Sequence, residues 1–281
     1  IMLTTVIFIV RWITGGAQTW MFYPETELID HLMTAGDIFL MCLIIYLSVK
    51  YRKVLPVILS VLQTVLVLYT EFTVEVEEGP HMMVDWLTIL MCIIIAFIGG
   101  FICIYTVGYM KGYHAHHKDV KDRQPFFFSM LFLFLAAMFG LVLSQNLVWI
   151  YFFWEITSVI SFLMIGYTKT DEAVNNSFCA LWMNLLGGLG FAVAIALMAN
   201  LHGTLQLLEV VNIGALLPLM CLSLAGLTKS AQLPFSTWLL GAMVAPTPSS
   251  ALLHSATMVK AGVYLLIRIS PALEGNLVGI I

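Results

Sequence analysis

Residues 228–268 read TKSAQLPFSTWLLGAMVAPTPSSALLHSATMVKAGVYLLIR. Lys229, His254 and Lys260 lie in this stretch, with Pro234, Pro246 and Pro248 between them, and the residues before it are apolar enough to cross a bilayer. Charge is expensive in hydrocarbon, so an ionisable side chain inside a span marks a functional position by default. Pro234 has no N–H, and its ring disturbs the carbonyl four residues back, that of Ser230. A helix interrupted beside a buried cation is how polar backbone is placed at membrane depth in transporters. The stretch therefore predicts a protein that moves ions, protons foremost, through its own interior.

The rest of the chain is of the same kind. Of 281 residues, 61% are hydrophobic and 10% charged, with a mean hydropathy of +0.99; a soluble domain carries about 25% charged residues. This excludes a soluble enzyme and predicts an integral, polytopic membrane protein in contact with the lipid bilayer. No stretch reads as a nucleic-acid footprint, and the net charge is only −4. Cys42, Cys92, Cys103, Cys179 and Cys221 all fall in apolar runs without a CxxC pair. They read as small buried hydrophobes, not as iron–sulfur or zinc ligands. The chain is thus expected to carry no cofactor and no metal.

A pass from the N-terminus gives a partial span at 1–13, an aromatic belt at Trp20, Phe22 and Tyr23, and spans at 32–49, 54–69 and 84–110. Further spans are expected at 126–143, 147–167, 177–199, 215–245 and 249–269, with a short amphipathic helix at 204–211. Loops 50–53 and 111–123 are basic, and loop 71–80 is acidic, with Glu71, Glu75, Glu77 and Glu78. Basic loops select the cytoplasmic side, so 50–53 and 111–123 are expected there, in a prokaryotic cytoplasmic (inner) membrane. Arg268, at the opposite end, is expected to snorkel. The segment 215–245 would be about 46 Å long as one helix, where a core of about 30 Å needs about 20 residues. The excess predicts a break at Pro234. Residues 271–281 read as the start of a further segment, so the chain is expected to be part of a longer protein.

Four groups are candidates for carrying a proton. Glu155 stands alone in the middle of FFWEITSVISFLMIGY, with Ser158 at i+3 on the same face. Burial and opposite charge pull carboxyl and amine affinities in opposing directions, so a Glu155–Lys229 pair at mid-membrane would be switched by small motions. The alternative is an ion pair that only fixes helix packing. Ser250, His254, Thr257, Ala261 and Tyr264 would share one face of a regular helix, and His254 is the side chain there that titrates near neutrality. Lys260, six residues on, would border the same hydrated cavity. Asn184, Gly187, Gly188 and Gly190 read as a close helix contact. His114, His116 and His117 read as part of a solvated loop rather than a metal site.

Several of these motifs resemble one family. WEITSVISFLMIGY (154–167) resembles the fifth-helix motif of the antiporter-like subunits of respiratory complex I, and KSAQLPFSTWL (229–239) and APTPSSALLHSATMVKAGVYL (245–265) resemble their seventh- and eighth-helix motifs. TVGYM (106–110) is similar to the end of their third helix. The same modules occur in Mrp-type cation/proton antiporters and in energy-converting nickel–iron hydrogenases. The resemblance implies an all-α polytopic membrane protein built on a five-helix repeat with a broken helix. Residues 1–125 would be N-terminal helices and loops, 126–270 the first repeat, and 271–281 the start of a second half. It also implies Glu155 and Lys229 as the charged pair, His254 as a relay and Lys260 as the step toward the centre. The function implied is proton or sodium translocation in a redox-driven complex, an energy-converting hydrogenase or a complex I-like oxidoreductase, with ALWMNLLGG (180–188) looking hydrogenase-like. An Mrp-type antiporter subunit is the alternative, through WEITS and HSATMVKAG. The redox reading implies other membrane subunits and a peripheral redox arm as partners, with iron–sulfur clusters and a nickel–iron site or quinone in those partners. A membrane anchor whose charges merely hold helices together is the third possibility.

Overall fold

The structure, a computed structural model, describes residues 1–24, 27–76, 79–117 and 120–274, apart from the side chains of Ser255 and Ala256. Glu77, Glu78, Lys118, Asp119 and the segment 275–281 lie outside the described residues.

Seven helical segments among the described residues are long and apolar enough to span a bilayer. They are α2 (Glu27–Lys50), α3 (Leu55–Thr73), the composite Trp86–His116, α6 (Gln124–Leu143), Leu147–Thr168, α8 (Asp171–His202) and the composite Thr247–Leu273. Trp86–His116 comprises α4 (Trp86–Ile94), a π-turn at Ile95–Gly99 and α5 (Gly100–His116). Leu147–Thr168 is α7 (Leu147–Ile165) with a closing 3-10 turn. Shorter pieces are α1 (Met2–Thr14), α9 (Leu207–Ile213), α10 (Leu216–Lys229) and α11 (Thr237–Gly241). Side-chain N-caps start three of the helices where polar residues interrupt apolar runs: Asp85 accepts from the Thr88 N–H, Asn146 from Val148 and Thr170 from Ala173. Among the described residues the named strands form one two-stranded antiparallel ribbon, β1 (Trp20–Phe22) on β2 (Met82–Val84). The aromatic belt expected at Trp20 and Phe22 is therefore partly strand.

α8 is the helix around which the bundle is packed, touching α3, α7, α10 and α11. Its small residues make this possible. A Cβ at Gly187 would lie 1.9 Å from Thr228 Oγ1 of α10, and one at Gly190 3.0 Å from the Cys221 carbonyl. Helices in lipid gain by such close backbone approach. α2 runs parallel to α7, as three contacts fix: Asp30 accepts from Trp149 Nε1, Gly36 abuts Phe152, and Ile44 clusters with Val159 and Phe162. α3 runs antiparallel to both.

The segment 215–245 is broken. α10 ends at Lys229, and helix resumes only at Thr237. Pro234 lies in the gap, but the stop comes earlier. Ala231 adopts the left-handed conformation at φ 54°, while the Gln232 N–H donates to Leu227 O and the Ala231 N–H to Thr228 O. Those two bonds form a Schellman motif. Trp238 Nε1 then donates to the Thr228 carbonyl at 2.9 Å. The freed helix end is closed from both sides, with Pro234 following a stop already made.

The last span also departs from the expected regular helix. α12 (Thr247–Ala251) passes into a π-turn at Leu252–Ala256, and α13 (Met258–Leu273) begins only after Thr257, whose φ, ψ of −143° and −63° are not helical. Ser250, His254, Thr257, Ala261 and Tyr264 therefore do not form one simple stripe. Ser250 donates to Ala242 O, Thr257 to Leu252 O and Tyr264 to Val142 O. Arg268 does not snorkel: its guanidinium grips Asp85 with both terminal nitrogens and donates to Thr88 Oγ1 at 2.8 Å. His114, expected in a solvated loop, is on α5 and contacts the Tyr167 hydroxyl at 3.1 Å.

The two ends differ in charge. Lys50, Arg52, Lys53, Lys121, Arg123 and Lys169 gather at one end, and Asp30, Glu71 and Asp85 at the other. Crowding by Arg123, then partial burial, Lys50 and Lys121 pull the Lys169 amine below its ordinary value.

Candidate functional site

Lys229 is the last residue of α10, so the break leaves its side chain at a helix end rather than on a regular face. It is 0% exposed, and Glu155 on α7 is 3% exposed. The Lys229 ammonium donates to the Trp154 carbonyl at 2.9 Å and to Ser158 Oγ at 2.8 Å, and it lies 4.9 Å from the Trp154 ring centroid. In this arrangement Lys229 and Glu155 make no direct salt bridge: among the described residues the close pairs of opposite type are Arg268–Asp85 and the His114–Asp122 contact at 3.5 Å. Lys229 and Glu155 are close enough to interact through space, but Ser158 and a carbonyl hold the ammonium. A carbonyl and a hydroxyl can satisfy two of its three donors without taking part in proton exchange.

Glu155 is engaged on its other side. Oε2 accepts a hydrogen bond of 2.9 Å from Gln63 Nε2 of α3, and Oε1 has no partner. Gln63 is 1% exposed. Asp37 of α2, 7% exposed, has no hydrogen bond among the described residues and interacts through space with Glu155 and Glu71. The α2–α7 register puts it near the level of Glu155. Glu71 accepts from Thr34 at 2.6 Å. Beside it, a cavity of about 650 Å³ is lined by Asp30, His31, Thr34, Glu71, His81 and Trp149, among others. The site is thus a line of ionisable groups from that cavity to the break: Glu71, Asp37, Glu155, Lys229.

Asp37, Gln63 and Glu71 are the residues that sequence reasoning missed, Glu71 because it lies in the last turn of α3 and not in the acidic loop expected at 71–80. Asp37 carried the same signal as Glu155, a lone carboxylate in an apolar run. Gln63 is neutral, and only its contact reveals it.

The other two candidates are not gathered into this line. His254 lies in the π-turn, with its ring facing the Leu239 backbone and Nε2 buried without a partner. Lys260 is exposed on the flank of α13. No hydrogen bond joins them among the described residues, and the stripe expected to carry His254 is interrupted at Thr257. No group of three or more His, Cys, Asp or Glu among the described residues is placed to hold a metal ion.

A broken helix carrying a buried lysine opposite a buried glutamate, inside an apolar bundle, defines an antiporter-like membrane subunit. Residues 144–280 match the family described as NADH:quinone oxidoreductase/Mrp antiporter, TM, and residues 79–119 match NADH-Ubiquinone oxidoreductase (complex I), chain 5 N-terminus. The chain belongs to this complex I/Mrp antiporter-like superfamily and is an integral membrane protein. Among curated relatives, a protein of Staphylococcus aureus strain USA300 carrying the name antiporter subunit mnhA2 is 39% identical over 198 residues, which is 67% of this chain and 24% of that protein. Its counterpart in strain JH9 is 38% identical over the same length. In a solved structure titled as the Mrp complex from Dietzia sp. DQ12-45-1b, a chain 28% identical superposes with a TM-score of 0.61, over 89% of this chain and 29% of that one. The chain spans about a quarter of the length of the curated relatives it matches.

Proposed function

We propose that this chain contributes the ion-translocating Glu–Lys half-site of the large subunit of an Mrp-type multisubunit cation/proton antiporter. The observation that carries the reading is Lys229, fully buried at a helix break, with Glu155 beside it and unpaired to it. A buried cation that meets only neutral oxygens, next to a carboxylate it does not touch, is one half of a two-state element. In the other state the ammonium would leave Ser158 and pair with Glu155. The family descriptions cover complex I as well as Mrp proteins, but the relatives named above carry the name of an antiporter subunit and the solved structure is of an Mrp complex, which favours antiport over the redox-driven reading. Iron–sulfur, nickel–iron or quinone partners and a peripheral redox arm would follow only from that redox reading, including its hydrogenase form.

Protons would enter from the acidic cavity at Glu71, pass Asp37 and reach the Glu155–Lys229 pair. Beyond the break, His254 and Lys260 are the candidates for onward transfer, Lys260 as a cation exposed on an apolar helix and so available to a neighbouring segment or subunit. The basic end, with Lys50, Arg52, Lys53, Lys121, Arg123 and Lys169, would face the cytoplasm of a prokaryote.

The test is to purify the intact complex containing this chain and reconstitute it in vesicles with no electron donor. Antiport predicts proton flux that requires a sodium or potassium gradient. Flux that appears only with a reductant, together with a nickel or iron–sulfur signal, would transfer the chain to the redox-driven class.

A further inference from the structure

Gln63 and Glu155 present three observations that belong together. Gln63 Nε2 donates to Glu155 Oε2 at 2.9 Å. The remaining oxygens, Gln63 Oε1 and Glu155 Oε1, are both buried and both without a hydrogen-bond donor. They also converge on one spot against α8, because a Cβ built on Gly188 would lie 2.4 Å from Glu155 Oε1 and 2.7 Å from Gln63 Oε1.

Two buried acceptors turned to the same place, with nothing to donate to either, are costly as they stand. A protonated carboxyl has one O–H donor, and an amide carbonyl accepts. We propose that Glu155 in its neutral form closes a two-bond ring with Gln63, N–H to Oε2 and O–H from Oε1 to Gln63 Oε1, and that Gln63 thereby positions Glu155 and holds its proton. Loss of the proton opens the second bond, leaving one N–H to carboxylate contact and a carboxylate free to take Lys229. Gln63 on α3 and Lys229 on α10 then compete for one carboxyl group. The amide carbonyl favours the neutral acid, whereas the amide N–H and the ammonium favour the anion.

The side chains around Glu155 are consistent with this division. On its own helix the ionisable neighbour is Tyr151; α2 presents Asp37, α3 presents Gln63 with Glu71 two turns away, α10 presents Lys229, and α8 presents Gly188. Lys229, the one cation among them, is bound to Trp154 O and Ser158. Gly188 also closes the α8 side of the two oxygens, where a methyl group would not fit. A proton needs no such room.

The inference deepens the proposed function, and infrared spectroscopy of the reconstituted complex tests it separately from transport. The carbonyl stretch of protonated Glu155 is identified as the band lost in Glu155→Gln during pH-difference spectra. Because Gln63 donates to that carboxyl, Gln63→Leu and the milder Gln63→Asn should both move the band to higher wavenumber. A band unmoved in both variants overturns the proposal, as does a wild type with no Glu155 band over the pH range of activity. A wild-type titration that depends on sodium would place a cation between the oxygens, and this too overturns it. If neither variant assembles, the wild-type band decides: a hydrogen-bonded position supports the ring, and a free-acid position contradicts it. An unmoved band with transport abolished by Glu155→Gln refutes this inference alone; transport surviving Glu155→Gln refutes the function beneath it.

Discussion

Lys229 is bound to Ser158, at 2.8 Å from ammonium to hydroxyl, and not to Glu155 one turn earlier on the same helix. The pair on which antiporter chemistry would depend is open, with each member hydrogen-bonded to neutral groups and Glu155 Oε1 left without a partner. Ser158 is therefore a determinant of the open state. Ser158→Ala leaves the ammonium with the Trp154 carbonyl alone, and an unmet buried donor costs about 1–3 kcal/mol. The expected outcome is an assembled complex of lower thermal midpoint and altered antiport rate. Unchanged values for both would show that Ser158 is a bystander.

Gly188 and Gly112 give a paired test of packing. A Cβ at Gly188 meets Glu155 Oε1 and Gln63 Oε1, whereas nothing lies within 4 Å of one at Gly112. Overpacking typically costs about 1–3 kcal/mol, and helical Gly→Ala in open space gains about 1 kcal/mol. Gly188→Ala should reduce assembled protein in detergent, and Gly112→Ala should not. Equal behaviour would contradict the tight α8 contact.

Ala231 occupies the left-handed position of the Schellman motif that ends α10. A Cβ there costs about 1–2 kcal/mol, a penalty that glycine escapes. Ala231→Gly should raise the unfolding midpoint of the complex, by the equivalent of about 1 kcal/mol. A fall would mean that the break is not held by this motif.

Asp85 and Arg268 join α4 to α13 near the acidic end. Burial alone would raise the Asp85 carboxyl, but Arg268 and the Thr88 N–H and hydroxyl outweigh it and hold it below its ordinary value. A carboxyl depressed in the folded state binds fewer protons there than when unfolded. Its stabilisation is complete above the unfolded value, about 3.9, and is lost as pH falls through the lower folded value. Removing one partner of a buried pair costs about 3–5 kcal/mol, and partial water access to Asp85 reduces this to about 1–3 kcal/mol. Asp85→Ala should show that deficit at neutral pH and a shallower loss of stability below about pH 4. A deficit that persists unchanged in acid would assign the effect to packing instead.

How far the sequence disclosed this site varied with the kind of signal. Glu155 and Lys229 were visible because a single charge in an apolar run has few explanations. The interruption after Lys229 was visible from excess length and Pro234, but the stop is made by Ala231, whose left-handed backbone no residue type announced. The π-turn at Leu252–Ala256 was hidden for the same reason: its geometry comes from packing, and it interrupts the stripe that a regular helix would have given Ser250, His254, Thr257, Ala261 and Tyr264. Arg268 was misread because its partner, Asp85, is 183 positions away. Lone charges are legible locally, whereas their partners belong to the tertiary fold.

The central claim is that Glu155 and Lys229 act as one unit in ion translocation. Its most direct test is proton flux per assembled complex in reconstituted vesicles, for wild type, Glu155→Gln, Lys229→Ala and the double variant. Residues acting as a unit are non-additive. The account predicts that each single change lowers flux by about tenfold or more, a loss of about 1.4 kcal/mol or greater, and that the double variant is no worse than the worse single. Near-normal flux in either single variant, or losses that add fully in the double, would contradict it.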